Sequence, residues 1–120
     1  MPYSVYADIA KNRLVLGLEG FLSLEEITKS TDETIAAAKK MKPGYDVITD
    51  ISKYITGTPE VAKEIERAQA FFVASGVHRG VRIVAKVIPG MQFKISAKEA
   101  GYESINVATM EEAERYLDGK

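Results

Sequence analysis

Apolar and polar residues alternate from Tyr3 to Ile9, the period of a half-buried strand, and Leu14-Val15-Leu16-Gly17-Leu18 follows the polar pair Lys11-Asn12. The two segments predict a hairpin that ends at Gly20. Beyond it the period lengthens: Leu24, Ile27, Thr31, Ile35, Ala38 and Met41 recur at three and four residues and line one helix face. Ser23 and Glu26 form a capping box at its start, and Pro43-Gly44 is expected to stop it. A strand is expected over Asp46–Ser52, with Val47, Thr49 and Ile51 on one side and Ile48 and Asp50 on the other. Apolar residues on both sides place it centrally in a sheet.

Thr58 is a good N-cap, Pro59 suits the first helical position, and Glu60 complements the positive end of the helix dipole. Val61, Ile65, Ala68 and Phe72 mark the buried stripe of that helix, which Ser75-Gly76 closes. The β-branched run Val81–Val87 predicts the next strand, with Pro89-Gly90 as its break. A shorter helix over Met91–Ala100 would bury Phe93, Ala97 and Ala100, with Gly101 as its C-terminal cap. A short strand over Ser104–Val107 follows, then a second capping box at Thr109 and Glu112 opens a helix that turns Ala113, Tyr116 and Leu117 inward. The order is ββαβαβαβα. It predicts an α/β protein with a mixed, mostly parallel sheet of about five strands and helices packed beside it, residues 1–120 forming one domain without a linker.

Composition narrows the chemistry. A chain of 120 residues is long enough to bury its own core. It has no cysteine, which removes disulfides, thiolate catalysis and Cys-based metal sites together. Sixteen basic residues stand against 17 acidic ones, with no basic block to track a nucleic acid. No window is apolar enough for a membrane span, and the N-terminus has no charged-then-apolar leader, so a cytoplasmic location is expected. Neither a metal nor a cofactor is called for: one histidine, no Asp-rich loop of calcium spacing and no glycine-rich phosphate frame are present.

The candidate chemistry gathers where the central strand meets the second helix. Asp50, Ser52, Tyr54, Thr56 and Thr58 form a candidate recognition loop beside a helix amino terminus, where unpaired N–H groups favour an anion or a polar ligand. Turn and capping chemistry uses the same residue types. Asp46 and Asp50 share a strand face roughly 13 Å apart, too far to act as a carboxylate pair. His78 lies with Arg79 and Arg82 and reads either as a solvated turn or as an anion-contacting corner. Phe71 and Phe72 point about 100° apart on their helix, so one of them stands at a rim or on a partner surface. Ile55, Phe71, Phe72, Ile88, Met91 and Phe93 are the candidate apolar pocket or partner surface; they are equally able to be the end of the core.

The element order, the Asp50-Ile51-Ser52 strand end, the Gly76–Val87 turn and strand, and the closing Thr109-Met110-Glu111-Glu112-Ala113-Glu114 segment resemble the STAS domains. That family contains sulfate-transporter tails and anti-sigma-factor antagonists, and includes a STAS/SEC14-like branch of small bacterial proteins. The resemblance covers nearly the whole chain and implies a STAS-like fold. Antagonists carry a phosphorylated serine in an Asp-Ser-Ser-Gly type motif at the loop into the second helix. Here that loop is Thr56-Gly57-Thr58-Pro59, which lacks the Asp-Ser pair and places Gly57 before the hydroxyl. Thr58 is the residue that carries over as a candidate phosphoacceptor. The resemblance implies a noncatalytic regulatory module that binds a protein partner; the alternative is a carrier of a small apolar or lipid-like ligand. A homodimer stays open as a third kind of association.

Overall fold

The computed structural model describes residues 2–119. Five strands and four helices alternate in the order read from the sequence: β1 (Tyr3–Asp8), β2 (Arg13–Gly20), α1 (Leu24–Ala38), β3 (Asp46–Tyr54), α2 (Pro59–Ala74), β4 (Arg79–Ile83), α3 (Val87–Ala100), β5 (Ile105–Val107) and α4 (Met110–Asp118). The sheet order is β1-β2-β3-β4-β5, with the β1–β2 hairpin antiparallel and every later neighbour parallel. All three crossovers therefore step the same way across the sheet. Right-handed connection then puts α1, α2 and α3 on one face, while α4, which joins no two strands, covers the other.

The side chains follow that division. Leu14, Leu16, Leu18, Val47 and Ile51 point toward α1–α3 and pack under Ile27, Val61, Ile65, Phe72 and Phe93. Ile48, Val81 and Ile83 point the opposite way and meet Ala113 and Leu117 of α4. Ion pairs fasten α4 as well: Arg13, 4% exposed, donates to Glu114 at 2.5 Å and to Asp118 at 2.8 Å. Arg79 forks onto Asp46, donates to the Leu117 carbonyl and lies over the Tyr116 ring.

Three of the four helix starts, those of α1, α2 and α4, match the sequence signals. Ser23 and Glu26 form the complete capping box. Thr109 Oγ1 accepts from the Glu112 N–H. Thr58 Oγ1 accepts from the Val61 N–H at 3.4 Å, and Pro59 opens α2. Gly101 closes α3 with φ of 74°, the left-handed cap that glycine adopts at no steric cost.

Several boundaries and facings differ from expectation. Helix α1 ends at Ala38, short of Pro43-Gly44, and Met41 packs from the following loop. Leu24 is exposed, and Ser30 and Thr34 share the buried face with Ile27 and Thr31. Strand β4 spans Arg79–Ile83 rather than Val81–Val87, and α3 already begins at Val87. Pro89 thus starts a helix instead of breaking a strand. At the third helical position its missing N–H is one of the donors that would have no partner anyway. Tyr116, expected inward, is 42% exposed because it stacks outside Arg79.

Candidate functional site

β3 does not keep its alternation. Gly17 pairs with Asp50 but Glu19 with Lys53, so β3 carries one extra residue opposite β2, a bulge across 51–53. Asp50 Oδ1 accepts from both the Ser52 N–H at 3.0 Å and the Ser52 hydroxyl at 2.6 Å, which stabilises the extra residue by local side-chain bonding. Asp50 and Ser52 consequently remain on the α4 side. They line an open depression of about 260 Å³ with Ser4, Gly17 and Lys53, and Lys53 is paired with Glu19 at 3.6 Å. Tyr54 turns to the opposite side, where it is fully buried and meets Phe93 edge to face at 5.5 Å. The candidate recognition residues are therefore divided between the two faces of the sheet.

Beyond the bulge, Tyr54 and Gln92 lock the β3–α2 loop onto α3. The Tyr54 hydroxyl donates to Gln92 Oε1 at 2.7 Å, and the Gly57 N–H donates to Tyr54 Oη and to Gln92 Oε1. Gln92 Nε2 donates back to the Gly57 carbonyl at 3.0 Å. Burial pushes the Tyr54 hydroxyl above its ordinary pKa, with the Gly57 N–H opposing the shift, so the phenol stays a donor at neutral pH. Sequence reasoning did not single out Gln92. Its signal is a lone amide on an otherwise apolar first stretch of helix, legible only once the loop is known to lie against it.

Thr56 lies in this loop with its Oγ1 buried and without a hydrogen-bond partner. Thr58 is exposed and spends its hydroxyl on the α2 cap. Thr58→Ala should lower stability by about 1 kcal/mol in chemical denaturation through loss of that cap. An unchanged midpoint would show that Thr58 does not cap the helix.

Of the candidate apolar residues, Ile55 and Ile88 line one surface depression, Met91 is exposed about one turn further along α3, and Phe93 is buried on the inner side of that helix. Phe71 and Phe72 do not join them. Phe72 is buried in the core at the opposite end of α2 against Tyr45 and Tyr102, and Phe71 packs half-buried beside it. Two residues outside the sequence-based set complete the surface: Val87, 75% exposed, and Ile95, 60% exposed. Helix α3 buries Pro89, Phe93, Ser96 and Ala97. Its outer face carries Val87, Ile88, Met91 and Ile95, spaced at three and four residues, followed by Lys94 and Lys98 on the same side. A helix whose first half carries apolar residues on both its inner and outer faces calls for cover on both sides. That signal was present in the sequence but hidden by starting the helix at Met91.

The corner suggested by His78, Arg79 and Arg82 also separates. His78 is exposed and Arg79 serves Asp46, both at the start of β4, whereas Arg82 points inward between sheet and helices and is 4% exposed. Among the described residues, no group of three His, Asp or Glu side chains is placed to hold a metal ion. None of the described helices is long and apolar enough to cross a membrane.

No family model and no curated protein matches the sequence. Solved structures do match the fold. One is an uncharacterised protein of the DUF3478 family with a SpoIIAA-like fold from Shewanella loihica PV-4. It aligns with a TM-score of 0.72 and 14% identity over 96% of this chain and 93% of that one. Another is the anti-sigma factor antagonist SpoIIAA in its unphosphorylated form, at TM-score 0.62 and 15% identity over 98% of this chain and 99% of that one. The chain has the SpoIIAA-like, or STAS, fold.

Proposed function

From this fold and the uncovered outer face of α3, we propose that the protein is a noncatalytic interaction module that docks a protein partner. The observation that carries the reading is the contiguous apolar surface of Ile55, Val87, Ile88, Met91 and Ile95 on a rigid support. Lone exposed apolar residues are ordinary, but a continuous patch on a loop pinned to a helix marks a contact surface. Lys86, Lys94 and Lys98 border it, so the partner that fits is an amphipathic segment with acidic residues flanking its apolar face. SpoIIAA, a match in fold alone, is named for antagonism of another protein, which is consistent with this reading. A carrier of an apolar ligand would use an enclosed cavity here. The depression between Ile55 and Ile88 instead has Ile55, Val87 and Ile88 at least half exposed.

The double variant Ile88→Asp/Met91→Asp should abolish partner binding while leaving stability within about 0.5 kcal/mol, because both side chains are on the surface. Photocrosslinking from position 95 in the native host measures it. A discrete protein adduct is expected in the parent and none in the double variant. An equal adduct in both, or flotation of the purified parent with liposomes, would overturn the reading. Sedimentation of the purified protein identifies the case in which the adduct is a second copy of the chain.

A further inference from the structure

At the other end of α3 the structure holds a charge without a counterion. Arg82 stands on β4 between Thr49 of β3 and Asn106 of β5 and is 4% exposed. Its guanidinium makes one long hydrogen bond, to Asn106 Oδ1 at 3.5 Å, and lies over the Phe93 ring at 5.6 Å. Among the described residues it has no carboxylate partner. A guanidinium is rarely left this way, since an unpaired buried charge costs several kcal/mol. Two buried polar atoms on residues that line a cavity with Arg82 are without hydrogen-bond partners: Gln69 Oε1, on a side chain 3% exposed, and Ser104 Oγ.

These groups face a common space. Arg82, Tyr102 and Ser104 line both a narrow internal cavity of about 40 Å³ and an outer groove of about 540 Å³ between α3 and the loop that leads to β5. The groove carries Lys94 and Lys98 on its rim, with Glu103 the one acidic residue there. The inner cavity is walled by apolar side chains, among them Leu16, Ile65 and Phe72, and by the small hydroxyl residues Ser30, Thr31, Thr34 and Thr49, with Gln69 as its one amide.

We propose that this is a ligand site for a small organic monocarboxylate, its carboxylate set on the Arg82 fork and its short chain running into the cavity beneath the sheet. The fork offers paired donors at the spacing of a carboxylate edge. One buried cation matches one negative charge. A phosphate dianion would leave charge in the interior that only the exposed rim lysines could meet. Ser104 and Tyr102 line the same space as Arg82 and would supply hydroxyl donors to the oxyanion, and Gln69 Oε1 would accept from a hydroxyl on the chain. A cavity of this size has room for about three water-sized groups, which corresponds to a chain of about three carbons beyond the carboxylate. Lys94 and Lys98 would draw the anion to the mouth of the groove.

The test follows the Arg82 Nε–H signal in protein labelled with nitrogen-15 arginine, titrated separately with acetate, propionate, butyrate, butyramide and inorganic phosphate. Saturable shifts in the millimolar range are expected for the carboxylates, with affinity rising about fourfold per added methylene up to butyrate. Butyramide and phosphate should leave the signal unmoved. Arg82→Met should fold, since a hydrophobe of similar length suits the site, and should lose thermal stabilisation by butyrate. Thr34→Ile, which fills the cavity and keeps the cation, should retain acetate binding and abolish the chain-length dependence; this arm decides if Arg82→Met does not fold. Absence of any carboxylate shift, phosphate binding ahead of butyrate, or undiminished butyrate binding by Arg82→Met would each overturn the proposal. None of these measurements depends on the partner surface at the start of α3.

Discussion

Phe72→Ala is expected to lower the unfolding free energy by about 4 kcal/mol and to leave the outer face of α3 intact. Phe72 is 2% exposed, and its ring lies 6.5 Å from that of Tyr45 and 5.6 Å from that of Tyr102. Truncation removes the transfer free energy of a buried aromatic and leaves a cavity that sheet and helix cannot close, a combination worth about 3–5 kcal/mol. Urea denaturation measures the loss. The result also separates two roles that the sequence could not distinguish. A partner-surface phenylalanine would cost little stability and much binding, whereas a core one does the reverse. A loss below about 1 kcal/mol would return Phe72 to the surface and contradict its placement here.

Gly80→Ala should be nearly as damaging, by about 3 kcal/mol, for the opposite reason. A Cβ at position 80 would stand 2.1 Å from the Tyr102 hydroxyl oxygen and 2.6 Å from the ring carbon that bears it. No rotamer of a methyl group avoids this contact, and Tyr102 is itself buried, so ring or strand must shift. The glycine is needed for close approach rather than for backbone conformation. The matching experiment is a double-mutant cycle with Tyr102→Ala. In that background the added methyl should cost far less, a coupling that distinguishes a steric clash from loss of strand propensity. Additive losses would locate the damage in the strand itself.

Much of this architecture is legible in the amino-acid sequence. The switch from a period of two to a period near four located the elements, and Ser23, Thr58 and Thr109 marked helix starts because an N-cap is a local bond between near neighbours. What failed was decided by contacts distant in sequence. The Val81–Val87 run satisfies strand and helix alike, and only the three-residue pairing of β4 with β5 ends the strand at Ile83. Tyr54 was assigned to a polar loop because nothing local announces the bulge that turns it into the core. Arg82 was grouped with His78 and Arg79 by adjacency, yet strand alternation sends it to the other face. The topology also bears on what kind of site the end of β3 can form, an open surface rather than a crevice. Crevices at strand ends open where the crossover direction reverses, and here it never does.

That unreversed order bears on how the chain acquires its structure. Each new strand finds its neighbour in the one just before it, so the pairings are as short in sequence as a parallel sheet permits, and the entropic cost of closing each loop stays modest. During synthesis the hairpin can form first, and every later helix–strand pair has a finished edge to dock against as it leaves the ribosome. No strand must be held open for a late insertion into the middle of the sheet. Opposite the standing edge of β1, the growing edge at any stage is then the strand just added, and the last one, β5, has three residues.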